Sequence, residues 1–479
     1  MFWRRFATTV SLVAILAGCR DGGGSNDTAP PPPTSTTPST PPSATAAGCS
    51  LRERQDWAAA QLKEWYLFPE TLPSDTTPTQ DTVRAYIDAL TATARAQGRD
   101  RFFTFLTSIA EENAFFASGS TAGFGFRLSL DSEQRRLFVS EAFERAPALA
   151  AGIDRGTEIV AIGTTSSDLR TVDAIIVAEG NGGLTRALGP ATAGITRLLR
   201  VRDAAGTRDV SVAKAEFELP PVSTRYGARL IDDGGRRVAY VNLRTFISTA
   251  DPALREAFAQ FQAAGVTDFV VDFRYNGGGL VSIANLMGDL LGRNRSASDV
   301  FSHTAFRPEK ASRNSTRFFS PQPQSVAPMR IAFIGTGGTA SASELVINSF
   351  VPYLRSAAAL IGTNTFGKPV GQIALDRPEC DDRLRVVAFA SQNAAREGNY
   401  FNGLASTVNA SCRASDDLSR PLGDPQEAST RQALDFLAGR TCTPISTGGA
   451  STQSLGPAPR ELLVPAQPTT VQREVPGAF

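Results

Sequence analysis

Lysine is nearly absent from this 479-residue chain: four of its 48 lysine and arginine residues are lysines, Lys63, Lys214, Lys310 and Lys368. Histidine is scarcer, with His303 the single example. One histidine leaves a Ser-His-Asp triad a single possible base, and it nearly excludes a zinc site built on histidines. Arginine stays protonated at any accessible pH and cannot serve as a general base, whereas a desolvated lysine can. Lys368 lies in Gly362-Thr-Asn-Thr-Phe-Gly-Lys-Pro-Val-Gly-Gln372, downstream of the serine-rich turn Thr339-Ala-Ser-Ala-Ser-Glu344. That turn follows an apolar run with the composition of a buried strand. A lysine kept in such a place, in a chain that otherwise uses arginine, suggests a serine nucleophile with a lysine base.

Charge excess is also missing. The formal net charge is +1, and the 20% of charged residues are spread along the chain. No aromatic-plus-basic cluster stands out, so nothing argues for nucleic acid as a partner. The length allows two or three domains with a large buried core.

The N-terminus reads as an address. Arg4-Arg5 precede an apolar run from Ala7 to Ala17, too short to span a bilayer, and then Leu16-Ala-Gly-Cys19. That tetrapeptide resembles the bacterial lipoprotein signal, which implies cleavage after residue 18 and lipidation of Cys19. An ordinary secretory signal cleaved near Gly18 is the alternative. Arg20 follows the cysteine in place of the aspartate that marks inner-membrane retention, which favours a periplasm-facing anchor in the outer membrane. Residues 19–48 then run through Pro30-Pro-Pro-Pro33 and Ser, Thr and Pro. Such a composition cannot bury enough apolar surface to fold. As extended polyproline, at about 3.1 Å per residue, it reaches roughly 80 Å.

Export makes the remaining cysteines readable. Cys49, Cys380, Cys412 and Cys442 form an even set, favouring two disulfides with three possible pairings. The expected pairs are Cys380–Cys412, closing a loop, and Cys49–Cys442, tying the ends of the folded part together.

Helical periodicity dominates residues 49–120, with Trp57, Leu62, Trp65 and Tyr66 near one face and Val83, Tyr86, Ile87 and Leu90 near another. Period-two patterning follows from Gly123. The stretch Gly123-Phe-Gly-Phe126, strands near Arg127–Leu130 and Leu137–Glu141, and Ala151-Gly-Ile-Asp-Arg-Gly156 leading to Ile159 and Ile162 together resemble a bacterial-type PDZ domain over 121–215. The resemblance implies that Gly123, Phe124, Gly125 and Phe126 bind a peptide carboxylate through backbone N–H groups, where glycines leave room for close approach.

Residues 216–442 alternate strands and helices, which implies an α/β domain with parallel strands. Strands are expected at 238–243, 269–273, 329–334 and 358–362, with helices at 252–264, 280–291 and from the serine-rich turn to Phe350. Asp272-Phe-Arg-Tyr-Asn-Gly-Gly-Gly279, Thr339-Ala-Ser-Ala-Ser-Glu344 and Thr365-Phe-Gly-Lys-Pro-Val-Gly-Gln372 resemble, in order, the three motifs of the C-terminal processing peptidases, or tail-specific proteases. The resemblance covers about residues 55–400. It implies a crotonase/Clp-protease-like core with a preceding PDZ domain and an N-terminal helical cap. It further implies Ser341 as nucleophile, Lys368 as base with Gln372 in support, and an oxyanion hole from Ala342 and Gly278. The substrate implied is a polypeptide with a free C-terminus, and neither metal nor organic cofactor is implied.

Bland readings exist for each feature. Ser341 and Glu344 also spell a capping box. Ser343 is a second possible nucleophile, because the Ser341–Lys368 spacing is about two residues longer than the family's. The extra length is expected as a loop around Val351–Arg355. His303 reads as a loop residue without a catalytic part, and Asp272 with Arg274 as a structural pair. Residues 443–479 read as a disordered tail. Rival functions are a catalytically inactive PDZ-containing peptide-binding lipoprotein, and a Ser/Lys esterase or amidase for small substrates.

Overall fold

The computed structural model describes residues 47–446 and 460–479. The leader, Cys19 and most of the tether lie outside the described residues. The core is a six-stranded sheet in the order Ala228–Asp233, Arg236–Asn242, Asp268–Asp272, Arg330–Gly335, Ala358–Gly362, Ser411–Arg413. Its first pair is antiparallel and the rest are parallel. Because strand side chains alternate, Val241, Phe269, Val271, Phe333 and Leu360 face the helices Ala250–Ala263, Val281–Leu290 and Ala342–Leu354. Tyr240, Val270, Ala332, Ile334 and Ile361 face the helix Ala428–Leu437. Covering both faces explains why these strands read as continuous apolar runs.

A second sheet carries the lysine motif. The strand Val370–Arg377 pairs antiparallel with Asp382–Gln392, which also pairs with Phe105–Ser108 and Val300–Phe306. The helices Leu51–Trp65 and Val83–Leu90 pack on it, placing Leu62, Tyr66, Tyr86 and Ile87 against Leu384, Val386 and Val387. The N-terminal segment is therefore not helical throughout. Its four-residue strand Phe105–Ser108 is too short for period-two patterning to register. Trp57 and Trp65 are only partly buried against this cluster.

Residues 120–218 form the third unit. Ser120–Gly123 pairs with Ala215–Glu218 at its neck. Beyond lies a sheet ordered Glu461–Leu462, Phe126–Asp131, Arg136–Ala142, Glu158–Gly163, Thr196–Asp203, Gly206–Ala213, closed over by helices Val172–Glu179 and Asn181–Leu188.

Four sequence expectations need correction. The disulfides are Cys49–Cys380 and Cys412–Cys442, with Cα separations of 5.5 and 5.4 Å. Cys49 precedes the first helix, which Arg54 docks onto Asp382 through two hydrogen bonds of 2.6 Å, and this sets it beside Cys380. Cys412 sits on an edge strand, and Cys442 returns to it after the helix that covers that sheet. Residues 443–479 are not a disordered tail throughout: 460–479 include the strand Glu461–Leu462 and the helix Thr470–Glu474. Val351–Arg355 is not a loop, because the helix runs on through Leu354 with Pro352 in its last turn. His303 lies on the strand Val300–Phe306, with Nδ1 2.9 Å from Thr316 Oγ1.

Candidate active site

Ser341 is the N-cap of the helix Ala342–Leu354, with φ 55° and ψ −112°. Such a conformation costs a non-glycine residue about 1–3 kcal/mol and persists only where the surroundings enforce it. Asn276 and Glu344 supply that enforcement. The carbonyl of Asn276 accepts Ala340 N–H at 2.9 Å and Ser343 Oγ at 3.1 Å. Ser343 is thus fully buried and committed to a structural hydrogen bond, whereas Ser341 is half-buried. The turn presents the first serine and uses the second.

Glu344 is buried and accepts four hydrogen bonds. Oε2 takes Ser341 N–H at 3.0 Å and Lys368 N–H at 2.8 Å, and Oε1 takes Gly367 N–H at 2.7 Å and Thr365 Oγ1 at 2.6 Å. Burial pushes its pKa up, and these donors oppose the shift. The bond to Ser341 N–H is half of the capping box read from sequence. The other three reach across to the loop Thr365–Lys368, just before the strand Val370–Arg377. Arg101 completes this frame: its guanidinium donates to the carbonyls of Phe366, Gly367 and Phe401 at 2.5, 2.7 and 3.0 Å. Sequence reading missed Arg101, because nothing local marks one arginine among so many.

Lys368 Nζ donates to Gln372 Oε1 at 2.9 Å, and Gln372 Nε2 donates to the Phe103 carbonyl. The amide is therefore held with its oxygen toward the lysine. Burial lowers the pKa of Lys368 from the ordinary lysine range, and the carboxylate of Glu474 is the strongest opposing charge. The Phe103 ring, 5.2 Å from Nζ, also favours the charged form, yet desolvation decides the direction.

The glycine loop lies against the serine. A Cβ on Gly278 (φ +122°) would come within 2.7 Å of Ser341 Cβ and 3.2 Å of Ser341 Oγ, so only glycine fits. The same virtual atom would lie 3.2 Å from Ala342 N, whose N–H opens the helix and has no acceptor within it. Gly278 N–H donates to Asn276 Oδ1 at 3.0 Å, and Gly277 N–H to the Glu474 carbonyl at 2.9 Å.

The other predicted glycine turn sits in the third unit. Gly125 has φ +79°, and its N–H and that of Phe126 point at the Phe479 carbonyl oxygen, at 2.9 and 3.4 Å. The rings of Phe124 and Phe126 stack 5.3 Å apart inside the core of this unit.

Comparison with known proteins bears on the middle of the chain. Residues 237–396 match the model of Peptidase family S41. The carboxyl-terminal-processing protease of Picosynechococcus sp. is 27% identical over 267 residues, covering 55% of this chain and 58% of the relative. The chloroplastic C-terminal processing peptidase of Tetradesmus obliquus is 26% identical over 277 residues, 54% of each chain. The chain spans a little over half the length of these relatives. A solved S41-type structure from Bacteroides fragilis NCTC 9343 superposes with a TM-score of 0.62 at 23% identity, over 80% of this chain and 97% of that one, which establishes a shared fold. The serine turn and the lysine motif both lie inside the residues that match Peptidase family S41.

Proposed function

We propose that this protein is an exported, membrane-tethered serine endopeptidase that cleaves polypeptides recognised through their C-termini. The observation that carries the reading is the Glu344 carboxylate, which joins the backbone of a strained, accessible serine to that of a partly buried lysine of lowered pKa. Ser341 is the nucleophile and Lys368 the general base. A neutral Lys368 that donates one N–H to Gln372 retains a lone pair for the serine proton. Ala342 N–H and Gly278 N–H serve the oxyanion. Gly278 exchanges its neutral acceptor Asn276 for a charged one, and hydrogen bonds to charged groups are the stronger kind. The acyl-enzyme then yields to water.

The unit 120–218 acts in this reading as a PDZ domain, with Gly123 to Phe126 receiving the substrate carboxylate. Cys19 is the lipidated anchor, in the outer membrane and facing the periplasm. The two disulfides support an oxidising compartment. The Lys368–Gln372 hydrogen bond and the glutamate that holds both motifs weigh against the inactive peptide-binding lipoprotein, and the glycine turn Gly123–Phe126 against a small-ester hydrolase.

The test is a comparison of two serines. Ser341→Ala should abolish cleavage of an unfolded polypeptide with little change in Tm, and Ser343→Ala should keep substantial activity. The reverse ranking would move the nucleophile and overturn the assignment.

A further inference from the structure

Residues 460–479 do not run free over the surface; they pair with the free edge of Phe126–Leu128 and pass beside the glycine loop of the active site. Leu463 N–H donates to the Leu128 carbonyl at 3.0 Å, and its side chain is buried in the core of the small unit. The chain then crosses to the peptidase domain. There the helix Thr470–Glu474 meets the N-terminal segment, with Thr470 Oγ1 2.9 Å from Thr107 Oγ1 and Arg473 donating to the Phe102 carbonyl at 2.8 Å. At the end of that helix the Glu474 carbonyl takes the N–H of Gly277, immediately before the Gly278 that lies against Ser341. Glu474 itself is the strongest charge acting on Lys368.

After a turn at Pro476–Gly477 the segment lies along the free edge of the strand Phe126–Asp131. Gly477 carbonyl accepts Leu128 N–H at 2.9 Å, Ala478 bridges Arg127 in antiparallel sense, and Phe479 N–H donates to the Phe126 carbonyl at 3.0 Å. The Phe479 carbonyl ends in the N–H groups of Gly125 and Phe126, and its ring, 8% exposed, joins the core with Phe124, Phe126 and Leu128. Backbone pairing to an open strand edge, an apolar anchor and an oxygen in a glycine turn are the elements by which such grooves take peptides.

We propose that residues 476–479 are a built-in ligand of this groove, occupying it until a polypeptide ending in an aromatic or other large apolar residue takes their place. The inference rests on the reading of the groove as a receptor for C-termini. It adds two things: the anchor pocket is sized for a ring, and the resting protein is occupied by its own chain. Occupancy in cis lowers apparent affinity by the fraction of molecules with the groove open, so a substrate must outcompete the segment before it is cut.

The experiment uses the full chain in a Ser341→Ala background, with a fluorescein-labelled decapeptide ending in Gly-Ala-Phe with a free carboxylate. Its binding is followed by fluorescence anisotropy in three proteins: the parent, Phe479→Asp, and a deletion of residues 476–479. Phe479→Asp puts a charge into an apolar pocket; the deletion leaves the buried Val475 and the preceding helix in place, so a folding defect of one variant does not spoil the test. The expected result is an apparent Kd at least about tenfold tighter in both variants than in the parent. Equal affinity in all three overturns the built-in ligand and leaves the groove standing. Binding to none of them overturns the ligand and the groove together, while cleavage by Ser341, assayed separately, remains a distinct outcome.

Discussion

The backbone N–H of Lys368 donates to Glu344 Oε2 at 2.8 Å, and the same oxygen accepts the N–H of Ser341 at 3.0 Å. One buried carboxylate thus fixes the turn that carries Ser341 and the loop that carries Lys368. It places two segments from different sheets in one register without touching the reacting atoms.

Glu344→Gln should therefore damage catalysis through position. The four donors leave no room for an amide NH2, so at least one must lose its acceptor, at about 1–3 kcal/mol for a buried group. We expect kcat to fall tenfold or more with KM nearly unchanged, and Tm to drop by several degrees. Steady-state kinetics and a thermal melt check both. Unchanged kcat would mean that the glutamate only caps its helix.

The base should report its surroundings in the pH profile. Lys368 faces Gln372 and feels Glu474, Arg473, Asp100 and Arg385. Gln372→Glu adds an anion at hydrogen-bond distance, which stabilises the protonated lysine and raises its pKa. Since the active form is the neutral amine, the rising limb of kcat against pH should move to higher pH. Activity should be depressed near pH 7 and recover in alkaline buffer. A uniform loss at every pH would point to a structural part for Gln372.

The Cys412–Cys442 bridge closes a 30-residue separation beside the last strand of the central sheet. Replacing both cysteines with serine should cost about 2–4 kcal/mol. Denaturant unfolding under oxidising conditions would measure it. Wild-type protein under reductant should shift further, because Cys49–Cys380 is lost as well.

Much of the core was legible because its strands are buried on both faces. Val238 to Asn242, Phe269 to Asp272 and Ala358 to Gly362 read as apolar runs, and each is a strand. The lysine scarcity led to Lys368, and Gln372 is its hydrogen-bond partner. What escaped was set by tertiary proximity. Arg101 acts through three carbonyls that no local pattern announces. The cysteine pairing depends on where the first helix docks, which Arg54 and Asp382 decide across the fold. Residues 460–479 have no core of their own; they are ordered by borrowing a strand edge and a pocket from 120–218, and composition alone cannot show that.

The most direct test of the Ser341–Lys368 pairing replaces the base with a cation that cannot give up its proton. Lys368→Arg keeps the charge and most of the volume but has no accessible neutral form. Cleavage of an unfolded polypeptide should be as low in this variant as in Ser341→Ala, while the wild-type rate rises with pH through an ionisation below that of free lysine. An arginine variant that retains a substantial fraction of wild-type kcat would contradict the assignment of Lys368 as the base.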